Sequence, residues 1–221
     1  MAEVPGDGGY RKWSGRPWPS SNNPKDPDGG AEPNSLNCRM NLPPAYWREK
    51  SGLACLDRVV ADVWAEGYSH HITRLMVLSN LGALLDVRPR ELADWFWIAY
   101  TDAYDWVVEP NVLAMGTFAV GQLMTTKPYI SGAAYIDRMS DFCRDCRFDP
   151  KRNCPITHLY WAFLARHEKL LRKNPRMAIP MNSLMKRGKD LQKKDRAVFE
   201  TLQKLLGAGE EVGPEDLSKT L

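Results

Sequence analysis

From residue 43 onward, apolar residues recur at three- and four-residue spacing and alternate nowhere over a strand's length. That pattern predicts helices and no sheet. Residues 53–66 read as an amphipathic helix that Gly67 stops in the left-handed conformation. Residues 70–85 read as a second helix with Ser69 as its N-cap. Pro89 suits the first turn of a third, running to about residue 104. Residues 111–124 read as a weaker helix, 127–133 as a loop and 134–147 as a helix. Pro155 opens a strong helix to about residue 173, with Ile156, Leu159, Tyr160, Phe163, Leu164, His167 and Leu171 on one side. A short helix over 176–187 and a longer one over 190–206 complete an all-α fold.

The flanks differ from this middle. Residues 1–34 contain twelve Gly or Pro and too few apolar residues to offset their own ordering entropy. The expected organisation is an N-terminal arm over 1–42, loose or draped, a helical domain over 43–208 and a polar tail over 209–221. Tyr10, Trp13 and Trp18, set among Arg11, Lys12 and Arg16, give the arm rings and charges with which to dock. No stretch of 18 apolar residues exists and no apolar run opens the chain, so neither a membrane span nor a signal peptide is expected. A cytoplasmic location with reduced thiols follows.

Composition changes the picture in two places. The net charge is only +3, yet between Arg166 and Arg196 eleven Lys or Arg face three acids. Such a run serves phosphate contacts or simply a solvated helix face. Cysteine is scarce, five in 221 residues, but three form C-x2-C-x7-C at Cys143, Cys146 and Cys154, with Pro155 after the last. Cys55 begins the first amphipathic helix, and Cys38 stands apart as a spare thiol. Four thiolates in a reducing compartment suit tetrahedral zinc or an iron–sulfur cluster. Spacing alone leaves both open, as well as no metal at all. Arg144, Arg147, Lys151 and Arg152 flank the ligands and would offset thiolate charge.

The segment Gly67-Tyr-Ser-His-His-Ile-Thr-Arg-Leu-Met-Val-Leu-Ser-Asn80 resembles the His-His-x-x-Arg-Leu-Met region of bacterial photolyase-related proteins that carry an iron–sulfur cluster. The likeness runs colinearly through Trp106-Val-Val-Glu-Pro-Asn111, Lys127-Pro-Tyr-Ile-Ser131, Ala134-Tyr-Ile-Asp-Arg-Met-Ser-Asp-Phe-Cys143, Cys154-Pro155, Leu159-Tyr-Trp161 and Asn174-Pro-Arg-Met177. The resemblance implies an all-helical domain of the cryptochrome/photolyase C-terminal type. It also implies that Cys55, Cys143, Cys146 and Cys154 hold a [4Fe-4S] cluster. The same helical fold is similar to the C-terminal domain of the primase large subunit, which binds nucleic acid without flavin.

The departures from the family pattern shape the functional expectation. No counterpart of the family's α/β antenna domain, or of the Ser-rich segment that holds the flavin phosphates, is expected in this sequence. Val108 takes the acidic position near the flavin ring and the acid moves to Glu109, while Ser131-Gly-Ala-Ala replaces Ser-Ser-Gly-Ala. FAD is therefore expected to be absent; were it retained, Trp95, Asn111 and Tyr129 would stand beside it. His70 and His71 match the family's lesion-side histidines, but without an electron donor they are expected to serve packing or phosphate contact, and no catalytic residue is assigned. His70, His71, Arg74, Lys127, Arg138, Arg144, Arg147, Arg172, Lys173 and Arg176 form the candidate nucleic-acid surface. The expected function is an iron–sulfur, photolyase-like protein that binds single-stranded DNA without light-driven repair. The alternatives are a minimal FAD-dependent photolyase and a cluster-stabilised interaction module.

Overall fold

The protein's structure, a computed structural model, describes residues 33–218. Among them the only β pairing is a one-residue bridge between Met40 and Val87. Helix α1, Ala54–Glu66, buries Cys55, Leu56, Val59, Val60 and Val63 on one stripe and ends at Gly67, whose φ is 62°. Its start is held by Asp57, whose carboxylate accepts from both the amide and the hydroxyl of Ser51 at 2.8 and 2.6 Å.

Helix α2 comprises a turn at His71–Thr73, a π-helical stretch at Arg74–Ser79 and an α-helical end at Asn80–Leu84. His70, not Ser69, caps it: the His70 Nδ1 accepts from the amide of Ile72 at 3.2 Å. The Ser69 hydroxyl is taken up by the Tyr100 phenol at 2.7 Å and by Thr73 at 3.0 Å. Helix α3, Pro89–Ala99, is shorter than the sequence predicts, because Tyr100 turns extended and buries its ring. Helix α4 begins at Asp105–Val108 and continues as a second π-helical stretch, Glu109–Gly116. A short 3-10 turn follows at Gly121–Leu123.

Helix α5, Ala133–Met139, stops before the cysteines that the sequence places on it. Ser140 is extended, with its hydroxyl donated back to the carbonyl of Ile136 at 2.8 Å, so Cys143 and Cys146 sit in turns. Helix α6, Pro155–Arg166, and the turn α7, Glu168–Leu171, replace the one long helix expected there, with the break at His167. Helix α8, Ala178–Lys186, and helix α9, Lys189–Gly207, follow, and α10, Pro214–Ser218, ends the described chain. Helices α6 and α9 form the most extensive pairing, and α2 and α8 also lie against α6.

The centre is aromatic. Trp95, Tyr46, Phe96 and Phe163 are fully buried. The indole N–H groups of Trp64 and Trp95 both donate to the Tyr46 carbonyl, at 3.0 and 2.8 Å, and the Tyr46 phenol donates to Leu78 at 2.7 Å. A buried ring of this kind contributes heavily to stability only because its polar atoms are paired.

Both flanks reach further into the fold than the sequence suggests. Leu36, Cys38 and Leu42 are core residues, and the Leu42 amide donates to the buried carboxylate of Glu91 at 2.6 Å. At the other end Val212 and Leu217 are buried, and the Val212 amide donates to Ser51 at 2.9 Å. Gly52 makes this return possible: its φ is +79°, and a side chain there would collide with the Val212 backbone. The arm's aromatic residues Tyr10, Trp13 and Trp18, like the last three residues of the tail, lie outside the described residues.

Candidate functional site

The two π-helical stretches face one another and line a common cleft of 230 Å³. From the first come Arg74, Leu75 and Ser79, and from the second Asn111 and Val112, with Tyr68, His71, Tyr100 and Val108 among the remaining walls. π-helical turns are rare and gather at functional sites, because the extra residue swings side chains out of helical register. The stretches meet closely at Gly116, where an added Cβ would lie 2.7 Å from the Ser79 hydroxyl.

Arg74 dominates the cleft. Its guanidinium donates to both carboxylate oxygens of Asp102 at 2.9 Å and to the Ser69 carbonyl at 2.8 Å. It also lies 4.9 Å from the centre of the Tyr68 ring and 4.2 Å from that of Tyr100. This arginine is therefore clamped between two rings and paired with an acid 28 positions later, not held free for a phosphate. His71 reaches the cleft, whereas His70 spends its ring nitrogen on the helix cap. Asn111 donates to the Val107 carbonyl at 2.8 Å. Val108 presents an apolar wall, while Glu109 turns away to a two-point pair with Arg90 at 2.6 and 3.3 Å. Beside the cleft, Tyr104 and Trp106 stack in parallel with centroids 5.0 Å apart, though 53% and 74% exposed. An exposed pair of flat rings next to a pocket of mixed polar and apolar lining is a ready platform for a planar ligand.

The four candidate thiols occupy one neighbourhood. Cys55 opens α1, Cys154 precedes α6 at its N-cap position, and Cys143 and Cys146 share the intervening turn. Burial drives the Cys55 thiol well above its ordinary pKa, and negative charge on Cys154, Cys146 and Cys143 adds to the rise. Burial likewise pushes Cys154 up to about 12, with Cys146 and Cys143 again contributing. Cys143 is raised to about 11, by burial first and then by Asp137 and Cys146. Thiols that raise one another in this way ionise together only with a cation among them. Among the described residues, no three His, Cys, Asp or Glu side chains converge tightly enough to hold a metal ion. The donor set is four soft sulfurs, the ligand type that thiolate-bound metals take.

A line of rings joins the two places. Tyr100 meets Trp95 edge-on at 5.9 Å, and Trp95 meets Tyr46 edge-on at 5.3 Å. Tyr46 lies close enough to Cys55 that the thiol's charge, after burial, raises the phenol's pKa. Trp95 thus stands behind the cleft in the core, while Tyr129 is 40% exposed and outside the cleft's lining.

The other candidate cations fall into separate groups. Arg147 pairs with Glu211 and Glu215 and so serves the returning chain end. Arg172 pairs with Glu168 one turn away, and Arg138 covers the Tyr135 ring at 5.4 Å. Arg144 is exposed. Lys127 is drawn towards Lys173 and Arg176 by Asn174, whose side chain donates to the Thr126 carbonyl at 2.7 Å. The basic run also turns partly inward, which charge counting missed. Asp195 is buried between Arg187 and His158, at 2.5 and 2.8 Å, with Arg187 over the Trp161 ring. Arg166 lies over Phe199 at 3.8 Å and interacts with Asp86. The sequence signal was faint: Asp195 is an isolated acid on the apolar side of α9.

Comparison with known proteins now bears on these features. Over 162 residues the chain is 40% identical to a (6-4) photolyase of Agrobacterium fabrum, across 71% of this chain and 32% of that protein. The chain is photolyase-like. Its helical architecture is that of the photolyase C-terminal type, and it spans about a third of the length of this relative. A 70-residue stretch of the photolyase-like chain is also 40% identical to an uncharacterized protein of Acanthamoeba polyphaga mimivirus, covering 57% of that protein. No protein-family model matches. Among the described residues of the photolyase-like chain, no helix is long and apolar enough to cross a membrane.

Proposed function

We propose that this photolyase-like chain binds nucleic acid, single-stranded DNA foremost, and that Cys55, Cys143, Cys146 and Cys154 hold a [4Fe-4S] cluster that fastens the fold. The cleft carries the reading. It offers a clamped guanidinium, an imidazole, an amide and, next to it, the exposed Tyr104–Trp106 stack. Single strands are bound where rings and polar groups can take a base, because every base has a flat face to stack and an edge to hydrogen-bond; the phosphates fall to cations outside the cleft, since Arg74 is committed to Asp102. The volume of 230 Å³ suits one base-sized group better than a whole dinucleotide, since pockets for larger ligands start at about 300 Å³.

The cluster, when bound, would supply a rigid tie between the start of α1 and the Cys143–Cys154 turns. The chain's own part is to deliver four sulfurs from three separate segments and to shield Cys55 and Cys154 from water. His71 and Asn111 orient a ligand in the cleft, while Val108 closes its inner wall without a charge.

A second reading is a light-driven repair enzyme with FAD, favoured by the 40% identity to a protein named a (6-4) photolyase. In that case Trp95 and Asn111 would flank the flavin, and Tyr129 would act from outside the cleft. A visible spectrum of protein purified without oxygen separates the two. A broad shoulder near roughly 400 nm supports thiolate-bound iron and sulfide, and resolved bands near about 370 and 450 nm support the flavin enzyme. Labelled single-stranded DNA should then bind with an affinity that falls steeply with salt. Binding indifferent to salt, or none at low salt, removes the nucleic-acid reading and leaves an interaction module.

A further inference from the structure

The turn at Gly121–Leu123 leaves Leu123 87% exposed and Met124 53% exposed. Two such side chains in water are unusual on a turn that is otherwise firmly held. On one side Ser35 grips it: its amide donates to Ala119 at 2.8 Å and its hydroxyl to Phe118 at 2.7 Å. On the other side Asn174 holds the Thr126 carbonyl at 2.7 Å, and its own Oδ1 accepts from the Arg176 amide at 2.9 Å. Gly121, with φ +63°, makes the bend. The apolar tip is thus presented by a braced loop.

Its surroundings carry charge of one sign. Asn174 brings the segment carrying Lys127 against the segment carrying Lys173 and Arg176. All three cations are exposed, and none makes an ion pair among the described residues. Ile179, one turn beyond Arg176, adds an apolar side chain 81% exposed.

We infer that Leu123 and Met124 form a wedge that enters between neighbouring bases of a bound strand while Lys127, Lys173 and Arg176 take the flanking phosphates. The inference rests on the nucleic-acid reading above and adds a second contact region outside the cleft. Unbranched and γ-branched apolar side chains serve as wedges because they fill the space between unstacked bases without a polar group to desolvate. Three unpaired cations at the rim supply the attraction that offsets unstacking. A protein partner or an anionic membrane would meet the same surface, but the turn itself projects only Leu123 and Met124, with Ile179 on a separate segment, which suits a base step better than an extended apolar face.

The test uses the whole chain with its native metal content and a thymine-rich oligonucleotide carrying one 2-aminopurine. Wild type should raise the 2-aminopurine fluorescence on binding as the base unstacks. Leu123→Ser/Met124→Ser should abolish that rise and weaken binding by about tenfold, with the salt slope unchanged. Lys127→Ala, Lys173→Ala and Arg176→Ala should each reduce the salt slope by about one. If the oligonucleotide binds wild type and the Ser variant alike, with the same fluorescence, the wedge is wrong and DNA binding stands. If wild type binds no DNA at low salt, the nucleic-acid reading falls and the wedge with it. If instead the Ser variant loses binding to vesicles of one part phosphatidylserine to three of phosphatidylcholine and keeps DNA, the tip is a membrane contact and the inference is overturned. All five positions are exposed, so unchanged melting temperatures confirm that the variants fold.

Discussion

Arg74 and Asp102 are joined through both guanidinium ends at 2.9 Å, across the gap between α2 and the loop before α4. The pair fixes which way the first π-helical stretch opens, since the same guanidinium holds the Ser69 carbonyl and two rings. Arg74→Lys keeps the charge but loses the fork and the stacking. It should cost about 1–2 kcal/mol, given that the pair is partly exposed. That lowers the melting temperature by about 2–8 °C, which calorimetry would read, and Asp102→Asn should cost less because Tyr68 and Tyr100 still hold the arginine.

Gly116→Ala places a methyl group against Ser79 where the two π-helical stretches cross. Ser79 is buried, so neither side yields freely. A destabilisation of about 1–3 kcal/mol is expected from the overpacking. Ser79→Gly in the same chain should recover most of it, and a thermal double-mutant cycle showing simple additivity would rule out the close approach.

The five cysteines should divide four to one. Cys55→Ser and Cys143→Ser are expected to lose the visible absorbance and to melt earlier. Cys38→Ser should keep the absorbance, because Cys38 is buried beside Asp86 and its thiol, raised to about 12 by burial first and Asp86 next, faces none of the other four. Equal absorbance in Cys143→Ser and wild type would sink the cluster assignment.

Two half-buried groups give stability an opposed pH dependence. Burial raises Asp94 to about 7, with Arg90 opposing the rise. The folded state therefore holds a proton that the unfolded chain releases above its ordinary carboxyl pKa, and stability falls as pH rises from about 4 to 7. Burial lowers His167 to about 4, with Arg166 adding to it. There the unfolded chain binds the extra proton, so stability is lost as pH falls from about 6.5 to 4. The two slopes oppose one another in wild type. Asp94→Asn should uncover the acid-side loss, and His167→Phe should uncover the decline towards neutrality. Urea titrations at four pH values would show no such divergence if the two groups titrate normally.

The elements visible in the sequence are those whose periodicity and punctuation agree. The helix Ala54–Glu66 ending at Gly67 and the start at Pro155 follow from apolar spacing plus a Gly or Pro at the boundary, whereas the last long helix runs through Gly207 and ends just before Gly209, whose φ is 78°. The helix expected through Cys143 ends at Met139 because the Ser140 hydroxyl competes for a helical carbonyl, a local choice that periodicity does not register. The π-helical stretches were invisible for a different reason. One extra residue per turn leaves propensities intact, and its effect is felt only in which side chains meet. The site was legible to the same degree. His71, Arg74 and Asn111 do share a cleft, but the acid that occupies Arg74 comes from another segment, and Tyr129 stands elsewhere. Charge counting also treated Arg166 and Arg187 as surface cations, although both are folded inward against rings and acids.

The bond from Val212 to Ser51, with Gly52 pressed beneath it, sets an order of events during synthesis. The residues that finish the seat of α1 leave the ribosome long after α1 itself. Until then the start of that helix lacks the backbone bond that holds Ser51 and the cover over Gly52. Closure of the C-terminal strap is thus a late latch on α1.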